Sequence, residues 1–391
     1  MSTKPRPHII VVGAGVIGAS IAWHLTRHEV GADVTVVAQD IGGTATPCSF
    51  AWLNASWHNP RPYYDFRRRS MEGWRRLAEE LPEVSNVLRW CGSLSWDMPP
   101  DELAKYLKEH SAWGYDIHRA ERAEIHALEP TLSAEVLPPE WGLRVGEEGA
   151  VEADQAARAM VNAAQERGAK VVHATVTNLI WEQEPNSKGT GSKGTGSKVT
   201  GSKVTGIVLS SSETLLADHV VLAAGVACVD LCTTAGITVP LKTPAPAGLL
   251  VHSKPLRKRI LHHVVYNPQG HMRQTADGRI LAGSDFVGGD PGPDPLATAR
   301  AQLEKAKMCF QPEERETLEL DYFTVGYRPQ PEDGLPILGE TGLEGLSLAV
   351  MHSGVTNAAL VGEILAETVL TGKADPALEI FSLKRFKQGR R

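Results

Sequence analysis

Two linked α/β units are predicted by this 391-residue sequence, one on a parallel βαβ sheet and a second on a mixed, largely antiparallel sheet. Three observations carry the prediction. The first 37 residues read strand, glycine turn, helix, strand. Strand-like and helical patterns then alternate to the end of the chain. The length and a 42% hydrophobic composition suffice for two cores, since domains usually run to about 100–200 residues.

The elements follow in order. His8–Val12 is a β-branched apolar run, Ala19–Arg27 has helical composition and Val34–Val37 is a second buried strand. From Tyr63 to Gly146 the chain is rich in Arg, Glu, Trp and Pro, with helical stretches at Asp65–Leu81 and Pro100–Trp113. Ala153–Gly168 reads as an amphipathic helix ending at glycine. Strands are expected at Ala169–Thr175, Val204–Ser210 and His219–Gly225. Between the first two lies a repeat: Ser-Lys-Gly-Thr-Gly at 187 and 192, then Ser-Lys-Val-Thr-Gly at 197 and 202. Such Gly-rich polar units bury no core, so 187–206 reads as a flexible loop insert, its copies resembling duplications of a hairpin tip. His262–Phe286 reads as two or three alternating strands turning at Gly270 and Asp277-Gly278. A helix over 296–311, a strand at Leu346–Met351 and a long helix at Val355–Leu370 complete the chain.

A formal charge of −6 gives no electrostatic footprint for nucleic acid or an anionic membrane. The basic runs Arg67-Arg68-Arg69 and Lys254–Arg259 read as solvated faces. No apolar run is long enough to span a bilayer, and the N-terminal apolar stretch, broken by three glycines, reads as mature fold and not a signal peptide. Five scattered cysteines (Cys48, Cys91, Cys228, Cys232, Cys309) are expected to be reduced thiols in an intracellular, cytoplasmic protein. His262-His263 has no metal-ligand spacing, and no metal is expected.

Gly13, Gly15 and Gly18 form G-x-G-x-x-G between a strand and a helix. The first glycine permits the tight turn, the second lets backbone approach a pyrophosphate, and the third lets helix and strand pack closely. The helix N-terminus then offers N–H groups to phosphate. This is the pattern of a Rossmann-type dinucleotide-binding unit. The pattern expects an acid at the end of the second strand for a ribose hydroxyl, but Ala38 stands there. Gln39 or Asp40 reaches the ribose instead, or that bond is absent.

The glycine motif, Ile41-Gly42-Gly43-Thr44, the segment Gly149–Asp154, the strand Val220–Gly225, and Gly326-Tyr327-Arg328-Pro329 through Asp333–Gly339 together resemble the D-amino-acid oxidase superfamily. The likeness lies in its branch of glycine oxidases, sarcosine oxidases and D-amino-acid dehydrogenases, and covers nearly the whole chain apart from the repeats. It implies FAD as cofactor, held non-covalently because Cys309 does not match the surroundings of a flavin-linking cysteine. It assigns the cofactor to Gly13, Gly15, Val16, Ile17, Gly18, Gln39, Asp40, Gly43, Thr44, Ser49, Val176, Ala224, Gly225, Arg328, Ser353, Gly354, Val355 and Thr356. Substrate residues are expected to be Arg328, which in the family often meets a carboxylate, His271 and Arg273 on one strand face, and Asn54. Pro329, Pro331 and Pro336 make the Arg328 loop rigid, and Glu332 or Asp333 is its alternative, structural partner. Ser353 is either a simple N-cap or part of a helix start facing the flavin.

The resemblance implies oxidation of a C–N bond in a small amino acid or secondary amine, with hydride passing to flavin N5 and an imine as product. Oxygen or another electron acceptor is the second partner. A flavin 2-hydroxy-acid dehydrogenase and a non-catalytic FAD-binding subunit are the rival readings. The FAD domain is expected to be discontinuous (1–60, 150–235, 325–391), with 61–149 and 236–324 forming the substrate domain.

Overall fold

The computed structural model describes residues 6–56, 59–183, 202–284 and 290–388. The N-terminal pattern folds as its periodicity requires: β1 (His8–Val12), α1 (Val16–Arg27) and β2 (Asp33–Ala38) form a parallel βαβ unit, with His8 opposite Asp33 and Val12 opposite Val37. β1 is buried on both faces, which is why it reads as an unbroken apolar run. Ile9 and Val11 enter the core on one side of the sheet, and Ile10 and Val12 enter the core on the other.

The sheet around β1 has six strands, in the order Ile337–Glu340, Leu346–Val350, His219–Leu222, β1, β2, Lys170–His173. Only the first pair is antiparallel. One face carries α1, the helix Ala153–Glu166 and the long helix Gly354–Thr371. The other face carries a three-stranded antiparallel sheet of Val176–Gln183, Ser202–Leu209 and Thr214–Leu216. Gln183 pairs with Ser202, so the segment joining them bridges a hairpin. Residues 187–201 lie outside the described residues, whereas the last repeat copy, Ser202–Gly206, belongs to a strand and not to a loop. Its Val204 and the following Ile207 are fully buried, and the apolar run that continues to Leu209 outweighs the Gly-rich composition of the repeat.

The second sheet has eight strands: Leu320–Tyr327, Ala247–Ser253, Ile280–Gly283, Gly270–Gln274, Val264–Asn267, Ser93–Ser95, Trp141–Val145 and Ile117–Glu121. All its pairs are antiparallel except Val264–Asn267 with Ser93–Ser95. The expected strands of 262–286 are three, turning at the positive-φ residues Gly270 and Gly278; Phe286 lies outside the described residues. Leu320–Tyr327 and Ala247–Ser253 were not legible as strands, and the first runs through residue 325, where a domain boundary was expected.

A short sheet of β3 (Trp52–Leu53), Gly149–Val151 and Leu88–Arg89 lies beside these layers. Helix α2 (Arg61–Glu80) falls in the range expected for the substrate domain, yet its Phe66, Trp74 and Leu77 share the core of α1 and the last long helix. The indole N–H of Trp74 donates to the carbonyl of Val355 at 2.9 Å, fixing α2 to that helix.

Candidate active site

One cavity of about 650 Å³ is lined by residues of both large sheets. That lies within the range of ligand sites, about 300–1,000 Å³. Its glycine turn is built by close backbone contact. Gly13 has φ +103°, and its N–H donates to the carbonyl of Val37 at 2.8 Å. A side chain at Gly18 would overlap the carbonyl oxygen of Gly13, so this position packs helix on strand and does not line the cavity. Gly15 is the N-cap of α1 and has no side chain to satisfy the first N–H groups; that of Val16 donates to Thr46 Oγ1 at 3.1 Å. The second glycine stretch docks on the first, with Gly42 N–H donating to the Ala14 carbonyl at 2.8 Å. The result is a bare, positively polarised helix end beside a backbone cradle, which suits a pyrophosphate.

The remaining wall comes from the 48–59 segment, α2, Leu250, His271, the Gly326–Pro329 turn and the start of the last long helix. Two guanidinium groups line it. Arg328 follows directly on the strand Leu320–Tyr327, and its backbone N–H donates to the Pro246 carbonyl at 2.9 Å. Arg67 is buried on α2, where its Nε donates to the Asn54 carbonyl at 2.8 Å and its Nη2 donates to Asn54 Oδ1. His271 and His352 also line the cavity. Burial, reinforced by the charge of Arg328, lowers His271 to about 3. Burial, then Arg328, Arg67 and Lys242, lowers His352 to about 3 as well. Both imidazoles are therefore neutral at physiological pH. The only carboxylate among the described lining residues is Asp40, at the end of β2.

A family model described as FAD dependent oxidoreductase (DAO) matches residues 8–368. The chain belongs to that family. Its sequence is 25% identical to a glycine oxidase of Bacillus licheniformis, over 94% of each chain. It is 24% identical to one of the subunits of an opine oxidase of Rhizobium meliloti, over 96% of each. Among solved structures, glycine oxidase from Geobacillus kaustophilus superposes with a TM-score of 0.79 at 23% identity, covering 97% of this chain and 99% of that one. Iminodiacetate oxidase from Chelativorans sp. BNC1 superposes with a TM-score of 0.78 at 23% identity, covering 96% and 98%. The protein is thus an FAD-dependent oxidoreductase, and the glycine cradle fits that cofactor on its own geometry.

The residues expected to hold FAD converge on this cavity. Gly13, Gly15, Val16, Ile17, Gln39, Asp40, Gly43, Thr44, Ser49, Val176, Ala224, Gly225, Arg328, Ser353, Gly354, Val355 and Thr356 all line it, as does Ala38 in place of the ribose-binding acid. Of the expected substrate residues, Arg328, His271 and Asn54 line it and Arg273 does not. Arg273 shares a strand face with His271, but its longer side chain turns to Glu152 at 2.8 and 3.0 Å and to the Phe50 carbonyl at 2.7 Å. It ties two segments together behind the cavity wall. Ser353 does not cap the last long helix: it has φ +58°, and its hydroxyl meets His352 Nδ1 at 3.0 Å. Asp333, a candidate partner of Arg328, pairs with Arg385 instead, at 2.7 Å.

Two functional candidates were missed from sequence. Arg67 was assigned to a solvated face with its neighbours, yet only Arg68 and Arg69 are at the surface, paired with Glu147 and Asp375. The signal was present: Tyr63, Arg67, Ser70, Trp74 and Leu77 fall at helical spacing on one buried stripe. The other is Glu148, fully buried and the acceptor of four hydrogen bonds. Trp52 Nε1 (2.9 Å), Ser56 Oγ (2.7 Å), Ser93 Oγ (2.5 Å) and Tyr115 OH (2.6 Å) all donate to its carboxylate. Trp52 and Ser56 line the cavity, so Glu148 holds its wall from behind.

Proposed function

We propose that this oxidoreductase oxidises the C–N bond of a small amino acid or secondary amine to an imine, which water hydrolyses. The observation that supports the reading is the cavity in which the glycine cradle, Arg328 and neutral His271 meet. FAD, when bound without a covalent link, supplies the acceptor for the substrate hydride at N5. Arg328 binds the substrate carboxylate, because a planar guanidinium matches its two oxygens. His271 is positioned by an edge-on contact with Phe50, ring centroids 4.4 Å apart. Being uncharged, it orients the substrate by shape and polarity, not by charge. The N-terminus of the helix Gly354–Thr371 favours negative charge on the reduced cofactor. Oxygen or another acceptor then takes the electrons, and the free thiols support a cytoplasmic setting for the reaction.

Kinetics on one amino acid and on its decarboxylated amine, in wild type and Arg328→Ala, test the assignment. Loss of a water-excluded charge pair should weaken the amino acid by about 2–5 kcal/mol, mostly as a raised KM. The amine should be nearly indifferent, and Arg328→Lys should rescue only in part. Equal losses on both substrates with flavin intact would end the carboxylate role. No bleaching of the flavin by any amine or amino acid without oxygen would end the amine reading itself.

A further inference from the structure

A second cavity, of about 250 Å³, lies against the short sheet that also borders the cofactor cavity. Its walls come from Leu88 and Arg89 of the edge strand, Ala150 of the central strand, the loop around Arg259, and Arg273. Ala150 pairs with Trp52 of β3, which lines the cofactor cavity, so the two cavities share one three-stranded sheet.

Three guanidinium groups line this cavity against one lining carboxylate, Glu152. That carboxylate is already committed to Arg273, in a two-pronged pair at 2.8 and 3.0 Å. The nearby Glu129, fully buried, is committed as well: the backbone N–H groups of His262 (2.9 Å) and His263 (2.7 Å) donate to it, and His263 Nδ1 meets it at 2.7 Å. Arg89 and Arg259 are left without a carboxylate within 4.0 Å among the described residues. Burial and then the charge of Arg89 depress Arg259, and the more distant Glu152 and Glu129 offset this only in part. Like charges gathered in a concave, partly buried site are unfavourable unless an anion joins them.

The loop that carries Arg259 is held for the purpose. Gln274 Oε1 accepts from the N–H groups of Ile260 (2.7 Å) and Leu261 (3.1 Å), and its Nε2 donates to the carbonyls of Lys258 (3.1 Å) and Gly278 (2.9 Å). Three of its four side-chain bonds therefore fix this loop on the strand Gly270–Gln274, and the fourth holds the turn at Gly278. Nη1 of Arg259 donates to the carbonyls of Leu261 (3.4 Å) and Gln274 (3.3 Å), which orients the guanidinium. A pre-oriented planar cation that shares a cavity lining with a second one is suited to an oxyanion.

We propose that this cavity is a second ligand site that binds a small oxyanion, a phosphate or a carboxylate, between Arg89 and Arg259. The site stands independently of the reaction proposed above. Its test is binding to the FAD-loaded protein of inorganic phosphate and, separately, malonate, with ionic strength held constant by chloride. Calorimetry and the shift in unfolding midpoint are the readouts. Saturable binding of either anion is expected. Arg89→Gln and Arg259→Lys should each weaken it about 10- to 100-fold, the range for a charge-assisted bond. Arg257→Gln, on the exposed part of the same loop, should leave it unchanged. Binding of phosphate alone assigns a phosphate ester, and binding of malonate alone assigns a carboxylate. No saturable binding of either anion, or binding that survives both Arg89→Gln and Arg259→Lys, would overturn the proposal.

Discussion

Glu148 is the residue on which the cavity wall most depends. Replacing it with Ala removes the acceptor of four buried donors at once. A buried donor left unsatisfied costs about 1–3 kcal/mol. The hydroxyls of Ser56 and Ser93 can rotate toward other acceptors or an entering water, but the indole N–H of Trp52 cannot turn aside. Tyr115 is also constrained, because its oxygen accepts from the N–H of Ala55 at 3.0 Å. Counting those two donors alone gives about 2–6 kcal/mol of lost stability. Relief of the carboxylate's own desolvation offsets part of this, so the lower half of that range is expected. Glu148→Gln keeps one acceptor oxygen and should lose about half as much. Urea unfolding of the FAD-loaded protein, followed by tryptophan fluorescence and flavin release, measures both. FAD should also bind more weakly, since Trp52 and Ser56 line its cavity. Burial holds Glu148 above the ordinary carboxylate range, so its ionisation disfavours the native state. This contribution is most favourable at low pH and declines as pH rises through the raised value, a trend that Glu148→Gln should abolish. An unfolding midpoint in Glu148→Ala equal to that of wild type would refute the reasoning.

Three further outcomes are expected. Deleting residues 187–201 should leave flavin content and activity nearly unchanged, because the cost of closing a loop varies slowly with its length; a large loss of either would assign the repeats a role. Acid or heat should release free FAD into the supernatant. Cys309 is buried in the core against the eight-stranded sheet, and Cys48, which lines the cavity, has its thiol pushed up by burial; flavin that stays with the precipitate would contradict non-covalent binding. Stability should fall as pH drops below about 6.5, where the unfolded chain takes up protons that His24, His271 and His352 (about 3) and His219 and His252 (about 4) refuse in the native state. Each histidine contributes a slope of up to about 1.4 kcal/mol per pH unit, and equal urea midpoints at about pH 7.5 and pH 5 would show that these sites do not exclude protons.

The sequence by itself determined whatever rests on neighbours along the chain. The βαβ unit was legible because apolar period, glycine spacing and helix start lie within one short stretch, and Gly13 and Gly18 form the tight turn and the close helix–strand contact that their spacing implies. The repeat's last copy misled because composition suggested a loop, while the partner that makes Ser202–Leu209 a strand, Val176–Gln183, is paired only in three dimensions. Arg67 was recoverable from helical spacing but was outweighed by the half-buried Arg68 and the exposed Arg69 after it.

Only the tertiary structure decided which polar groups face one another. Glu148, Trp52, Ser93 and Tyr115 are separated by up to 96 residues, and no local pattern links them. The same holds for Arg273: its strand position placed it beside His271, but Glu152, 121 residues away, drew its side chain out of the cavity. Periodicity fixes the face on which a side chain starts. A long, charged side chain then ends where a buried opposite charge can be met, and that site exists only once distant strands have come together.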